Sequence, residues 1–321
     1  MKIVLLDAFG MNPGDLSWAP LEKLGDVICY EETNSEDRDE VRRRIDDCEI
    51  LLNSKVILDR DLLQSCPNLR YIGITATGYN CVDLDACREF GITVTNIPQY
   101  STEAVAQHTI ALLLEACCQV GHHVQAVRDG RWAQSNRWCF WDMPLIELAG
   151  KTMGIIGYGA IGKAVGRIAE ALGMKLLVNA RTKRPELEYA NLRFVDKETI
   201  FAQADVISLH CPLTDATRHL IDAASIAKMK DGVILLNTGR GPLIDEKALA
   251  EGLRSKKIHY AGLDVTEKEP LSEDSPLLKF SNCFITPHIA WVPVETRQRL
   301  LDAVVANLIA YLENRPINVI S

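Results

Sequence analysis

The chain has 321 residues, 47% of them hydrophobic and 24% charged, with a formal net charge of −8. That length accommodates two domains of ordinary size, each with its own core. The acidic balance and the lack of any basic stripe argue against a nucleic-acid or anionic-membrane partner.

The N-terminal run Ile3 to Leu6 reads as a buried strand, too short for a signal-peptide core and ended by the carboxylate of Asp7. A charged helix-like stretch at 37–47, a strand at 49–53, a helix at 59–65 and a strand at 71–75 follow. A turn at Gly78-Tyr79-Asn80 and a strand at 91–96 close this block. Such alternation predicts a parallel sheet flanked by helices. Ser101 is a candidate N-cap for a long helix through Val105, Leu112, Leu113, Ala116 and Val120, which carries the chain into a second domain.

The apolar run at 110–114 is interrupted by Glu115, so no transmembrane span is expected. The ten cysteines show neither C-x-x-C pairs nor zinc spacing, which implies no metal site and a reducing, cytoplasmic compartment. Cys117-Cys118 read as core packing. The aromatic segment Trp132, Trp138, Phe140 and Trp141 reads as core and interface packing.

The alternation then restarts, with strands expected near 152–156, 175–179, 205–210, 233–237, 260–265 and 283–286. An amphipathic helix is expected at 294–313, with Leu300, Leu301, Val304, Val305, Leu308 and Leu312 on one face. Between the first of these strands and a helix at 161–172 lies Gly157-Tyr158-Gly159-Ala160-Ile161-Gly162. The bare spacing is a weak signal, but the strand–turn–helix setting is the one a dinucleotide pyrophosphate needs. The first glycine permits the turn, the second a close phosphate approach, and the third tight helix–strand packing, while the helix N-terminus supplies N–H donors. No low-complexity linker separates the halves, so two packed domains with a cleft between them are expected.

Ligands of doubly wound sheets lie beyond the carboxyl ends of the strands. Three such ends carry chemistry: Asn237-Thr238-Gly239-Arg240, Asp264 to Glu269, and Thr286-Pro287-His288. Taken singly, Arg240 could be a surface ion pair, Glu269 a solvated carboxylate and His288 a capped loop histidine. Together on one sheet edge beside a nucleotide loop, they read as a catalytic constellation.

These stretches, with Asp205–Thr214, Met229–Ala248 and Gly262–Pro270, resemble the D-isomer-specific 2-hydroxyacid dehydrogenase family over essentially the whole chain. Ala76 to Asn80, Cys139 to Asp142 and His288 to Trp291 look most like its glycerate dehydrogenase (hydroxypyruvate reductase) branch. The resemblance implies an α/β fold of two similar doubly wound, parallel-sheet, Rossmann-like domains with the active site in the cleft. Its layout is a discontinuous substrate domain, 1–100 plus 290–321, around a dinucleotide-binding domain, 101–289. It implies hydride transfer to a small 2-oxo acid, hydroxypyruvate or glyoxylate, giving D-glycerate or glycolate. D-lactate or phosphoglycerate substrates, or a dinucleotide-sensing role like that of the C-terminal-binding corepressors, are the alternatives.

Residue by residue, the resemblance makes His288 the acid/base, oriented and favoured in its protonated form by Glu269. It makes Arg240 the carboxylate clamp that polarises the carbonyl. Backbone N–H groups of Ala76, Thr77 and Gly78 would hold the other carboxylate oxygens. Asp264 would contact the nicotinamide, and the backbone of His210-Cys211-Pro212 and Thr238 would line the ribose. At the position that usually carries a ribose-binding acid stands Ala180, followed by Arg181, Thr182, Lys183 and Arg184. Loss of the acid beside three cations favours NADP(H), with NAD(H) possible. A homodimer through the nucleotide domain is also implied, with one of the aromatics at 132–141 reaching the neighbouring site.

Overall fold

A computed structural model describes every residue except Lys183 and divides the chain into two compact units. The first comprises Met1–Ser101 with Trp291–Ser321, and the second Thr102–Ala290. No single helix among the described residues is long and apolar enough to cross a membrane.

In the first unit the elements are β1 (Lys2–Leu5), α1 (Ala19–Glu22), β2 (Asp26–Cys29), α2 (Arg38–Ile45), β3 (Ile50–Asn53), α3 (Arg60–Gln64), β4 (Tyr71–Ile74), α4 (Leu84–Glu89) and β5 (Thr93–Thr95). The strands run parallel in the order β2-β1-β3-β4-β5. Both faces are covered, so β3 and β4 are buried along their whole length, as central parallel strands must be. Alternation along β1 sends Val4 and Leu6 to the face under α2, α3 and α4. Ile3 and Leu5 go to the opposite face, under Leu300, Leu301, Val304 and Leu308 of the terminal helix Val294–Leu312. Asp37, Asp59 and Asp83 cap their helices by accepting an N–H three residues on.

The second unit contains α5 (Thr102–Cys118), α6 (Val120–Arg128), β6 (Thr152–Ile156), α7 (Ala160–Ala171), β7 (Lys175–Asn179), β8 (Leu192–Phe194), α8 (Lys197–Gln203), β9 (Val206–Leu209), α9 (Ala223–Lys228), β10 (Val233–Asn237), α10 (Glu246–Arg254), β11 (Ile258–Leu263) and β12 (Cys283–Ile285). Its parallel sheet has the order β12-β11-β10-β9-β6-β7-β8. The connection reverses between β6 and β9, which opens a crevice at their carboxyl ends. One face packs on α5 and α7 through Ile110, Leu113, Ala164 and Val165. The other packs on α8, α9 and α10 through Ile200, Phe201, Ile226, Leu249 and Leu253.

Three expectations need correction. The long helix stops at Cys118 because Gln119 is left-handed (φ 51°), and α6 then leaves at a new angle with no buried residue. Cys117 is buried but Cys118 is exposed, since successive helical residues lie on different faces. The aromatic segment is not core: Trp132, Trp138 and Trp141 are exposed, Trp138 to 87%. The segment has no regular period with which to aim its rings inward. It is braced instead by Arg131, which pairs with Asp142 and lies over the Phe140 ring.

Candidate active site

The glycine loop leaves β6 at the crevice. Gly157 has φ +100°, and a Cβ there would lie 2.3 Å from the Cys211 nitrogen and 2.4 Å from the His210 carbonyl carbon. The loop therefore rests directly on the backbone that leaves β9. A Cβ on Gly162 would lie 2.3 Å from the Gly157 oxygen, so α7 meets its own turn backbone to backbone. Gly159 is the opposite case: a Cβ would meet nothing within 4 Å. It also forms the N-cap of α7 and supplies no side-chain acceptor, so the first N–H groups of the helix keep their donors. Two closed glycines and one facing open space make a cradle that fits a dinucleotide pyrophosphate. Tyr158, Ala160 and Ile161 complete the turn.

Beside the crevice, desolvation pushes the His210 pKa down to about 4, so a neutral ring bonds Ser208 Oγ at 2.8 Å. Cys211 is half-buried and Pro212 exposed. At the end of β7 the Asn179 amide donates to the Val195 carbonyl, and Ala180 is half-buried. Arg181 and Thr182 are exposed, and Arg181 makes no ion pair with a described residue. Lys183, the second cation of this run, lies outside the described residues.

The loop after β10 is shaped by Asn237, fully buried, whose side chain accepts from Gly239 N–H and donates to the Arg240 carbonyl. Arg240 is exposed and donates to the adjacent Gly239 carbonyl at 2.8 Å; it makes no ion pair among the described residues. Gly241 starts the 3₁₀ turn Gly241–Leu243, and a Cβ there would lie 1.8 Å from the Thr266 carbonyl oxygen. The arginine loop and the loop after β11 are thus in backbone contact.

Glu269 and His288 meet, with Nδ1 2.7 Å from Oε2, while Oε1 accepts Thr266 N–H at 3.3 Å. A carboxylate only accepts, so Nδ1 carries the proton in this contact and Nε2 is the ring atom left for chemistry. His288 itself is left-handed (φ 56°), a conformation that persists only where its surroundings impose it. The agent is Asp264. This carboxylate is 1% exposed and accepts Thr286 Oγ1 at 2.6 Å, Ile289 N–H at 2.9 Å and Ala290 N–H at 2.8 Å. Burial alone would raise its pKa, but bonds from His108, Thr286 and these two N–H groups outweigh it and hold the carboxyl below its ordinary range. Asp264 therefore carries a structural duty that sequence reading did not foresee.

In the first unit, the chain after β4 is pulled inward by its carbonyls. Ile97 N–H reaches Ala76 O at 3.0 Å, the Asn96 amide reaches Thr77 O at 2.8 Å, and the Thr77 hydroxyl donates to Ile97 O. The N–H groups of Ala76, Thr77 and Gly78 form no bond with a described residue, a pattern suited to an anion.

The chain is similar to known proteins. The family model "D-isomer specific 2-hydroxyacid dehydrogenase, NAD binding domain" matches residues 110–290. A hydroxypyruvate reductase of Blautia hydrogenotrophica is 52% identical over 321 residues, covering 100% of both chains. A glycerate dehydrogenase of Methylorubrum extorquens is 39% identical over 88% of each chain. Among solved structures, D-lactate dehydrogenase of Aquifex aeolicus, complexed with NAD and lactic acid, is similar with a TM-score of 0.83 and 29% identity, covering 98% of this chain and 96% of that one.

The contact at Gly241 yields a prediction. In Gly241→Ala the new methyl would face a backbone oxygen at 1.8 Å, so the turn must move and take Arg240 with it. For a 2-oxo acid the folded variant's kcat/KM is expected to fall ~100-fold, chiefly through a raised KM. Wild-type kinetics, with an unchanged circular dichroism spectrum, would mean the turn does not set the position of Arg240.

Proposed function

We propose a substrate from a fixed premise: this chain belongs to the D-isomer specific 2-hydroxyacid dehydrogenase family. It is an oxidoreductase of the 2-hydroxyacid type with an NAD-binding domain. In our reading it reduces hydroxypyruvate to D-glycerate, and glyoxylate to glycolate. The observation that carries this is the Glu269–His288 pair on the same sheet edge as a guanidinium with no ion-pair partner among the described residues. The full-length similarity to the Blautia hydroxypyruvate reductase supports the choice of acid.

The chemistry follows from the chain's own groups. Arg240 offers a planar fork to the carboxylate of a 2-oxo acid and draws electron density from its carbonyl. When bound, the reduced dinucleotide supplies the hydride that C2 accepts. His288 delivers a proton from Nε2 to the carbonyl oxygen, and in the reverse direction removes it from the hydroxyl. Glu269 holds Nδ1 throughout, so the ring keeps its orientation as its charge changes.

For the cofactor we favour NADP(H). Ala180 presents no carboxylate to repel a 2′-phosphate, and Arg181 beside it has no ion-pair partner among the described residues. We further propose a homodimer through the nucleotide-binding unit, because α6 and the segment after it leave Val120, Val124, Val127, Trp132, Trp138 and Trp141 exposed together. Ten free cysteines fit a reducing, cytoplasmic setting.

Three measurements test these readings. Purified protein should oxidise NADPH faster than NADH when given hydroxypyruvate, followed at 340 nm; no oxidation with hydroxypyruvate or glyoxylate would overturn the substrate assignment. Ala180→Asp should move the ratio of cofactor efficiencies ~10-fold or more toward NADH, the scale of a hydrogen bond to a charged group. An unmoved ratio would show that this position is not the selector. Light scattering should return twice the chain mass of 35.7 kDa, and Trp138→Glu should lower it; a wild-type monomer would remove the dimer.

A further inference from the structure

Two neighbouring residues of α5, His108 and Thr109, lie outside the trio but are bonded to the loops that carry it. His108 Nε2 is 2.9 Å from Thr286 Oγ1 and 3.4 Å from Asp264 Oδ1. The Thr286 hydroxyl has one proton, and at 2.6 Å from Asp264 Oδ1 it gives that proton to the carboxylate. It must therefore accept from His108, which fixes the hydrogen on Nε2. The remaining capacity of Asp264 is taken by Ile289 and Ala290 N–H, the two residues that follow left-handed His288. An unbroken run of donors and acceptors thus connects the middle of α5 to the backbone that presents the general acid.

Thr109 makes a parallel connection. Its hydroxyl donates to Val105 O at 2.7 Å, one turn back in the helix, so toward Thr238 Oγ1, at 2.8 Å, it can only accept. Thr238 is 8% exposed and stands two residues before Arg240. The helix that supplies both contacts is no loose strap: Ile110, Leu112, Leu113, Ala116 and Cys117 are buried in the core with α7 and the sheet.

We propose that His108 and Thr109 are positioning residues with separate duties, His108 setting the loop of His288 and Thr109 setting the loop of Arg240. This rests on the roles given above to His288 and Arg240. One rigid helix thereby fixes, through adjacent side chains, the proton donor and the carboxylate clamp, which come from different strands. A displaced proton donor slows the chemical step, whereas a displaced clamp chiefly loosens its hold on the carboxylate, a contact made in ground and transition states alike. Neighbouring substitutions should accordingly give different kinetic signatures.

The test measures kcat and KM for hydroxypyruvate with saturating dinucleotide across one set of variants. His108→Ala is expected to lower kcat ~10- to 100-fold, with KM close to wild type. His108→Gln, which returns an N–H donor near the Nε2 position, should recover most of the loss. Thr109→Val, matched in shape, is expected to raise KM ~10-fold with kcat nearly unchanged, and Thr109→Ser should reverse it. His288→Ala and Arg240→Lys are run beside them: the first should lose ~10²–10⁴-fold in kcat and the second should raise KM. If those two controls miss their signatures, the reading of the site fails and the proposal falls with it. If the controls behave but His108→Ala and Thr109→Val share one signature, match wild type, or resist rescue, the two residues merely support the helix and the proposal is overturned.

Discussion

A carboxylate removed from water must find donors or take up a proton, and Asp264 is removed from water almost completely. Desolvation pushes its pKa up; the hydrogen bonds of His108, Thr286, Ile289 and Ala290 push it further down, so the group stays ionised inside the protein. Each of those donors belongs to a segment whose path must be exact. The ionised Asp264 carboxylate and the path of residues 286–290 therefore support each other, and left-handed His288 sits within that path. The unfavourable backbone of a single histidine is held by a charge that has no other place to go.

The same economy appears where the loops meet. Gly157 lies on the backbone at His210 and Cys211, Gly162 on Gly157, and Gly241 on Thr266, each too close for any side chain. The first and last of these contacts join loops that leave adjacent strands, β6 with β9 and β10 with β11. Backbone resting on backbone has no rotamers, so the distance between neighbouring loops is set by the sheet itself. The reactive side chains are then few and need only short reaches. Glu269 finds His288 at 2.7 Å because Gly241 against Thr266 and Asp264 against Ala290 have fixed where both loops lie.

Much of this could be read from residues alone, because the βα alternation and the G-x-G-x-x-G turn are local patterns with local causes. Parallel strands buried on both faces appear as short apolar runs, and all ten of those expected are present. β2 was harder to see: Asp26–Cys29 is an edge strand, only partly buried, so its composition carries little signal. The break at Gln119 was invisible, since glutamine has no preference for the left-handed region that would announce a stop. Asp264 was recognisable as a strand-end acid, but the distances that commit it to residues 289 and 290 are tertiary. His108 and Thr109 sit in a helix whose apolar period explains its burial and hides two polar contacts made to loops well over a hundred residues away. The exposed tryptophans misled for the inverse reason: aromatic content suggests a core, yet only a regular period says which way a ring faces.

Not every candidate group is paired as Glu269 and His288 are. Elsewhere on the surface, charged side chains commonly find a counter-ion, as in Arg38 with Asp59, Arg60 with Glu89 and Arg131 with Asp142. Such pairs contribute little to stability individually, but they neutralise the field of each cation. Arg240 and Arg181 have no ion-pair partner among the described residues, in the loops that follow β10 and β7 on one sheet. The N–H groups at the start of α7 are likewise without a side-chain cap. Around them, Asn237, Thr238, Asp264, Thr286 and Glu269 each spend hydrogen-bonding capacity on the loops. A fold that satisfies its supporting groups inwardly, while two guanidiniums have no ion-pair partner among the described residues and the α7 terminus has no side-chain cap, leaves donors suited to anions along one sheet edge.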